Sequence, residues 1–254
     1  LNNLKAWVRQ RERAFLDSRT NNALEPPKGV MLLGIQGSGK SLAAKAIAGL
    51  WGVPLLRLDI ATLYNKFIGE SERNLRESLE QADLMAPCVL WIDEIEKGIS
   101  VSQTDNSTSQ RMLGTLLTWM AERKSSVFLV ATSNDVTSLP PELIRKGRLD
   151  EIFFVDLPTS ALRQEIIAIH LAKRGFDPVS FDTELLAEQS DGFSGAELEQ
   201  AVVAALYSVS AAGEALSTEH ILREIDSTYP LSVTMGEKIN ALRQWSSGRT
   251  VLAD

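Results

Sequence analysis

Residues 34–41 form a glycine-rich segment between an apolar run and an alanine-rich run. The segment reads Gly-Ile-Gln-Gly-Ser-Gly-Lys-Ser and matches the pattern G-x-x-x-x-G-K-[ST]. The run before it, 30–33, has the length and composition of a buried strand, and the run after it, 42–50, is typical of a helix. A strand, this pattern and a helix in succession predict a phosphate-binding loop. An ordinary glycine turn would not need the flanking strand and helix.

The residue types in this segment suit a polyphosphate. Small residues allow consecutive backbone N–H groups to approach the phosphate oxygens, and the N-terminus of the following helix adds positive potential. Lys40 is predicted to contact the β- and γ-phosphates, and the Ser41 hydroxyl to bind Mg²⁺. The predicted nucleotide-binding residues of this segment are Gly34, Ile35, Gln36, Gly37, Ser38, Gly39, Lys40, Ser41 and Leu42.

The order of apolar runs predicts an α/β fold with a parallel sheet and helices on both faces, because helical patterns separate the strands. Strands are predicted at 30–33, 55–59, 88–92, 127–132 and 152–156. From Pro158 onwards the strand patterns stop and helical patterns follow. We therefore predict an α/β domain over residues 1–158 and a small helical domain with a C-terminal helical segment over 159–254. The chain begins at Leu1 inside a helical pattern, so we expect it to be part of a longer polypeptide.

Polar residues accompany three of the predicted strands. Asp93 and Glu94 end the run 88–92, where an Asp can hold Mg²⁺ and a Glu can polarise an attacking water. Asn134 follows the next strand and can orient that water or the γ-phosphate. Arg145 and Arg148 precede the last strand and can stabilise charge during phosphoryl transfer. Taken singly, these residues also fit a solvated acidic turn, a turn amide and a basic turn.

The composition restricts the class of protein. The formal net charge of −7 argues against broad binding to nucleic acid or to anionic membranes. The single cysteine, Cys88, excludes an internal disulfide, fits a reducing compartment and is predicted to be a buried thiol. His170 and His220 are far apart in sequence, so no histidine metal site is predicted. No apolar run reaches the ~18 residues that a membrane span needs.

Together these motifs resemble the AAA ATPase superfamily, and in particular its AAA clade proper, which includes proteasomal ATPases, membrane-bound AAA proteases and katanin-type severing enzymes. The resemblance covers essentially the whole chain. Walker A corresponds to Gly34–Ser41 and Walker B to Leu90–Glu94, and Asn134 matches the sensor position. The second region of homology runs from Asn134 through Arg145 and Arg148.

The resemblance implies a P-loop ATPase domain followed by a helical lid domain. Gly195 and Ala196, after Ser194, resemble the lid signature near the adenine. By resemblance, Arg145 and Arg148 act in trans on the nucleotide of a neighbouring subunit, which implies a ring, usually a hexamer. Three further runs resemble a bacterial family that includes the cyanobacterial and plastid-encoded AAA proteins known as a hypothetical chloroplast reading frame. These runs are Trp-Ile-Asp-Glu-Ile-Glu-Lys, Leu-Leu-Thr-Trp-Met and Leu-Pro-Pro-Glu-Leu-Ile-Arg-Lys-Gly-Arg.

The segment after the second predicted strand bears on the substrate. In the AAA clade an aromatic-hydrophobic-Gly triplet here lines a central pore that grips extended polypeptide, and the chain has Lys66, Phe67, Ile68 and Gly69. Without the resemblance, apolar packing at a helix start is the better interpretation of Phe67 and Ile68.

The sequence thus predicts a ring-forming, Mg²⁺-dependent ATPase that remodels or threads a protein substrate, with ATP and Mg²⁺ as cofactors. The expected setting is the bacterial cytosol or the plastid stroma, without nucleic acid and without a membrane segment in this chain. Two alternatives stay open: an ATPase that acts on nucleic acid as a loader or helicase partner, and a nucleotide-controlled scaffold.

Overall fold

A computed structural model describes residues 1–16, 25–63, 70–99, 106–145 and 147–254. The chain folds into two compact units. The first unit comprises Leu1–Gly34, Lys40–Val155 and Trp245–Asp254, and the second comprises Ile35–Gly39 and Asp156–Gln244.

Among the described residues, six strands form one parallel sheet in the first unit. In chain order the strands are β1 (Gly29–Gly34), β2 (Leu55–Leu58), β3 (Cys88–Ile92), β4 (Val127–Ser133), β5 (Glu151–Val155) and β6 (Val251–Leu252). Their order across the sheet is β2-β3-β4-β1-β5-β6. The predicted α/β class is therefore correct, and the carboxyl ends of β1, β3 and β4 lie next to one another at one edge of the sheet, where such folds bind ligands.

Helices cover both faces of this sheet. On one face lie α1 (Asn2–Leu16) and α2 (Lys40–Trp51), and their buried side chains share a core with Val30, Val89 and Phe128. On the other face lie α3 (Glu70–Leu84), α4 (Ile95–Ile99) and α5 (Asn106–Glu122), packed on Met31, Leu90 and Leu129. We call these the α2 face and the α5 face.

Alternation along β3 decides which side chains share the α2 face. Cys88, Leu90 and Ile92 lie in the α5-face core, whereas Val89 and Trp91 lie in the α2-face core. Because side chains alternate along a strand, Asp93, two positions after Trp91, is expected to point toward the α2 face. Cys88 is a free, buried thiol, as predicted.

The second unit is helical apart from its turns. Its helices are α6 (Ser160–Lys173), α7 (Thr183–Gln189), α8 (Gly195–Ala212), α9 (Thr218–Ser227), α10 (Leu231–Thr234) and most of α11 (Gly236–Ser246). They enclose a core that includes Ile167, Leu186, Val202 and Ile221. Helix α8 begins at a capping box, in which Glu197 N donates to Ser194 Oγ and Ser194 N donates to Glu197 Oε2.

One prediction for the carboxyl-terminal part is wrong. The sequence predicts no strand after Pro158, yet Val251–Leu252 pairs with Phe153 and Phe154 of β5. A strand of two residues is too short to show the alternation by which strands are recognised in sequence. Its position is decided by the exposed edge of β5 and by Ala253 N donating to Phe154 O. The division of the chain near residue 158 stays a prediction.

Candidate active site

The N-terminus of α2 follows the glycine-rich turn directly. Lys40, the first residue of the helix, is only 7% exposed, and its Nζ donates to Gly34 O at 2.9 Å. Ser41 is half-buried in the first turn of the same helix, whereas Leu42 is 69% exposed. The first amides of a helix and a buried ammonium together form a site for an anion.

Three glycines of the turn are required by space or by backbone conformation. A Cβ at Gly34 would lie 2.1 Å from Val155 O, so only glycine allows β1 to pair this closely with β5. Gly37 and Gly39 have φ of 75° and 96°, in the left-handed region that favours glycine. Between them Ser38 Oγ donates to Ile35 O at 2.6 Å and closes the turn.

The turn residue Gly37 and the start of α8 are in contact within the second unit. Ala196 N donates to Gly37 O at 3.2 Å, and a Cβ at Gly195 would lie 3.5 Å from that same oxygen. A Cβ at Gly37 would lie 3.0 Å from the Ala196 Cβ. The two predicted lid residues therefore lie beside Gly37 within the second unit. In the same segment Gln36 is exposed and Ile35 is buried.

Asp93 is the first residue after β3 and points toward the α2 face. Its Oδ1 accepts from Thr132 Oγ1 at 2.7 Å and from Ser41 Oγ at 3.4 Å. Its Oδ2 accepts from Arg57 Nη2 at 3.3 Å. Thr132 lies in β4 on the same face as Phe128 and Val130, which is why its hydroxyl reaches a residue at the end of β3.

Glu94 has a backbone conformation that is rare for a residue with a side chain. Its φ is 47°, and left-handed conformations at non-glycine residues cost about 1–3 kcal/mol and are concentrated at functional sites. Its amide donates to Thr132 Oγ1 at 2.9 Å. Its two carboxylate oxygens are also engaged, Oε1 by Asn134 Nδ2 at 2.9 Å and Oε2 by Lys97 Nζ at 2.5 Å.

Glu96 adds a third carboxylate that is 7% exposed. Its Oε1 accepts from Asn134 N at 3.0 Å, and its buried Oε2 has no hydrogen-bond partner in the described part of the chain. Burial raises the pKa of this carboxyl above its usual range. Burial also lowers the pKa of Lys40 to about 8, against the opposing attraction of Glu96, Asp93 and Glu94.

The Ser41 hydroxyl and the Asp93 carboxylate fit a magnesium ion. A serine hydroxyl and one carboxylate, 3.4 Å apart, are hard oxygen ligands that leave the remaining positions to phosphate oxygens and water. Among the described ranges, no group of three or more His, Cys, Asp and Glu residues is arranged to hold a metal by itself.

The two predicted arginines lie before β5, and within the described ranges no hydrogen bond or ion pair joins their side chains to the residues above. Arg145 is exposed, and Arg148 N donates to Arg145 O at 3.4 Å. Arg148 is half-buried, and its buried Nη1 has no hydrogen-bond partner among the residues that the structure describes. In the part of the chain that the structure describes, neither guanidinium forms an ion pair. The predicted pore residues Lys66, Phe67, Ile68 and Gly69 lie outside the described residues.

Four further residues reach the site without a function predicted from sequence: Thr132, Glu96, Lys97 and Arg57. Thr132 and Ser133 are polar residues at the end of an otherwise apolar strand, and that change in composition is the signal that would have identified Thr132. Glu96 carries no such signal, because an acidic residue near two others in sequence is normally exposed. Arg57 and Lys97 are recognisable only from their contacts with Asp93 and Glu94.

Comparisons with known proteins agree with this geometry. The model of the ATPase family associated with various cellular activities (AAA) matches residues 30–157. The chain is 44% identical to the "Uncharacterized AAA domain-containing protein ycf46" of Gracilaria tenuistipitata var. liui, over 100% of this chain and 52% of that protein. The protein of the same name from Guillardia theta is also 44% identical, over 97% of this chain and 49% of its own length.

A more distant similarity extends to a different kind of protein. The "Proteasome-activating nucleotidase" of Aeropyrum pernix is 38% identical over 77% of this chain and 49% of its own length. The chain thus spans about half the length of the curated relatives it matches. None of the helices in the described ranges is long and apolar enough to cross a membrane.

Proposed function

The chain belongs to the family of ATPases associated with various cellular activities, and on that premise we propose that it is a Mg²⁺-dependent ATPase that converts ATP to ADP and phosphate. The observation that carries the proposal is the pairing of two contacts at the end of β3. Asp93 lies beside Ser41 at the start of α2, and Glu94 lies beside Asn134 at the end of β4. The first contact suits a metal at a phosphate, and the second suits the activation of a water.

Each residue of the site has a defined task in this proposal. Lys40 and the first amides of α2 bind the phosphates, and Ser41 and Asp93 would hold the metal. When bound, Mg²⁺ neutralises charge on the phosphate oxygens. Glu94 accepts the proton of the attacking water, and Asn134 orients that water or the γ-phosphate. Asn134 and Lys97 each engage one Glu94 oxygen in this structure, and each oxygen keeps a second lone pair with which it can accept a proton.

We further propose that the active assembly is a ring, with six subunits as the expected number. Its support is the state of the two arginines before β5. Arg145 is exposed and Arg148 is half-buried, and within the described ranges neither guanidinium forms an ion pair. Their positive charge is therefore available to the phosphates of a nucleotide bound to a neighbouring subunit. In this arrangement residues 1–158 form the ATPase domain and residues 159–254 the lid with its C-terminal extension.

The substrate that we propose is a polypeptide. This proposal is supported by similarity to a protein named as an activator of the proteasome, and by the aromatic residue Phe67 in the segment 66–69. The net charge of −7 does not favour nucleic acid. The expected compartment is the bacterial cytosol or the plastid stroma.

The decisive experiment on hydrolysis compares Glu94→Gln with the wild-type chain. The variant keeps the size of residue 94 and one acceptor oxygen but removes the base, so it should bind ATP normally while turnover falls by at least about 100-fold. Glu122→Gln is the matched control, because Glu122 is an exposed glutamate at the end of α5 and should leave turnover unchanged. Equal turnover in Glu94→Gln and the wild type would exclude Glu94 as the base.

Polypeptide threading is tested separately through Phe67→Ala. The variant should keep basal ATP hydrolysis but lose the unfolding of a tagged test protein, since the ring would turn over without gripping the chain. Stimulation of hydrolysis by DNA or RNA, in place of unfolded protein, would favour a nucleic-acid substrate instead. Unfolding that persists in Phe67→Ala would contradict the pore assignment.

A further inference from the structure

Arg57 lies in the edge strand β2, opposite Trp91 of β3. Leu55, two residues earlier, packs against the core of the α2 face, so Arg57 projects toward the same face. Trp91 belongs to that core, and Asp93, two residues after Trp91, follows it along the same face. The register of β2 and β3 therefore brings Arg57, Trp91 and Asp93 into one row on the side of the sheet that carries α2.

The contacts of Arg57 follow this row. Its guanidinium carbon lies 4.9 Å from the centroid of the Trp91 ring, and its Nη2 donates to Asp93 Oδ2 at 3.3 Å. The Trp91 ring is 4% exposed and gives the guanidinium a rigid apolar support, whereas the Arg57 side chain is 57% exposed. Arg57 is thus held beside the carboxylate, with access to solvent.

The two oxygens of Asp93 have different neighbours. Oδ1 faces Ser41 and Thr132, and Oδ2 faces Arg57. The Thr132 bond is the shortest of the three at 2.7 Å, so the carboxylate keeps its orientation without Arg57. The principal effect of Arg57 is therefore its positive charge, which directs a metal ion to Oδ1 and opposes its approach.

We propose that Arg57 is a positioning residue that acts through Asp93 and weakens Mg²⁺ binding at the nucleotide site. The proposal rests on the proposed function, since it requires a phosphate-bound Mg²⁺ between Ser41 and Asp93. In the absence of the metal Arg57 balances the charge of Asp93, and the metal must compete with it. Removal of the positive charge should therefore tighten Mg²⁺ binding, whereas loss of a residue that merely ordered the site would weaken it.

The test measures the free Mg²⁺ concentration at which the ATP-bound protein reaches half of its Mg²⁺-dependent rise in melting temperature. Arg57→Leu should lower this concentration by about three- to tenfold, a modest effect because the side chain is partly exposed and screened. Arg57→Lys, which keeps the charge, should behave as the wild type. ATP binding in the presence of a chelator should change less than about twofold in Arg57→Leu, since the carboxylate and not the nucleotide is the partner of Arg57.

Lys45→Met is the matched control. Lys45 Nζ lies 5.9 Å from the same Trp91 ring, and its removal deletes a nearby positive charge that has no contact with Asp93. An unchanged or higher Mg²⁺ midpoint in Arg57→Leu would overturn the inference while leaving the proposed function intact. An equal shift in Lys45→Met would overturn it as well. Failure of the wild-type chain to bind ATP at any Mg²⁺ concentration would instead refute the proposed function.

Discussion

The Thr132 hydroxyl lies 2.7 Å from Asp93 Oδ1 and also accepts the Glu94 amide at 2.9 Å. One side chain from β4 thus orients the carboxylate proposed to hold the metal and supports the left-handed backbone of the residue proposed to activate water. Because both contacts use a single hydroxyl, the two functions are linked through Thr132.

Thr132→Val should therefore impair catalysis more than nucleotide binding. Valine keeps the shape of threonine but removes the donor to Asp93 and leaves the Glu94 amide unpaired, at a cost of about 1–3 kcal/mol. We expect the turnover number to fall about 10- to 100-fold, with ATP affinity in a chelator nearly unchanged. Thr132→Ser restores the hydroxyl and should recover most of the turnover. Full activity in Thr132→Val would show that neither contact matters for catalysis.

Gly34→Ala should prevent normal pairing of β1 with β5. The added Cβ would lie 2.1 Å from the Val155 carbonyl oxygen, which belongs to the backbone and cannot move aside. We expect a loss of at least about 3 kcal/mol in the free energy of unfolding, or no folded protein at all. Gly49→Ala is the control, because Gly49 lies in α2 with open space for an added methyl group and should gain about 0.5–1 kcal/mol. Denaturant titration of both variants gives the comparison.

Nucleotide affinity should fall as the pH rises above about 8. Burial lowers the pKa of Lys40 to about 8 in the free protein, and bound phosphates would raise it again by their negative charge. Above that pH, binding therefore requires uptake of a proton by Lys40, and the affinity should fall by up to about tenfold per pH unit. Calorimetry at about pH 9 in two buffers of different ionisation enthalpy should reveal this proton uptake. At about pH 7, where Lys40 is already protonated in the free protein, Lys40 should take up no proton on binding.

The same lowered pKa has the opposite effect on folding. Between pH about 8 and the ordinary lysine value of 10.5, the unfolded chain holds a proton at Lys40 that the folded chain has lost. The contribution of this group to stability therefore rises with pH in that window, while nucleotide affinity falls. If affinity and stability moved in the same direction there, Lys40 would not be the group responsible.

Arg148 should act on the nucleotide of a neighbouring subunit. Arg148→Ala and Glu94→Gln should each be inactive alone, the first for lack of the arginine and the second for lack of the base. Mixed rings contain interfaces at which one subunit supplies Arg148 and the other Glu94, about a quarter of all interfaces on random equal mixing. Mixing should therefore restore phosphate release to about a quarter of the wild-type rate. Arg9→Ala, at an exposed position of α1, is the control for removal of a surface charge. No recovery on mixing would argue against action in trans.

Much of this protein could be predicted from its sequence because the relevant signals are local. The phosphate-binding turn is a continuous segment, and the glycines in it meet backbone requirements that hold within a few residues. The strands β1, β3 and β4 are short apolar runs that need burial on both faces. Asp93, Glu94 and Asn134 follow such strands, and parallel strands end at a common edge, so their proximity could also be anticipated.

Only the tertiary structure decided which atoms meet at that edge. The register of β2 on β3 places Arg57 beside Asp93, and the register of β4 on β3 places Thr132 between Asp93 and Glu94. The burial of Glu96 and the pairing of Val251–Leu252 with β5 likewise depend on segments far apart in the chain. Local sequence specifies the period and the chemistry of a segment. Strand register and side-chain burial instead arise from the packing of the whole domain, and so the sequence determined the parts of this site and the fold determined their contacts.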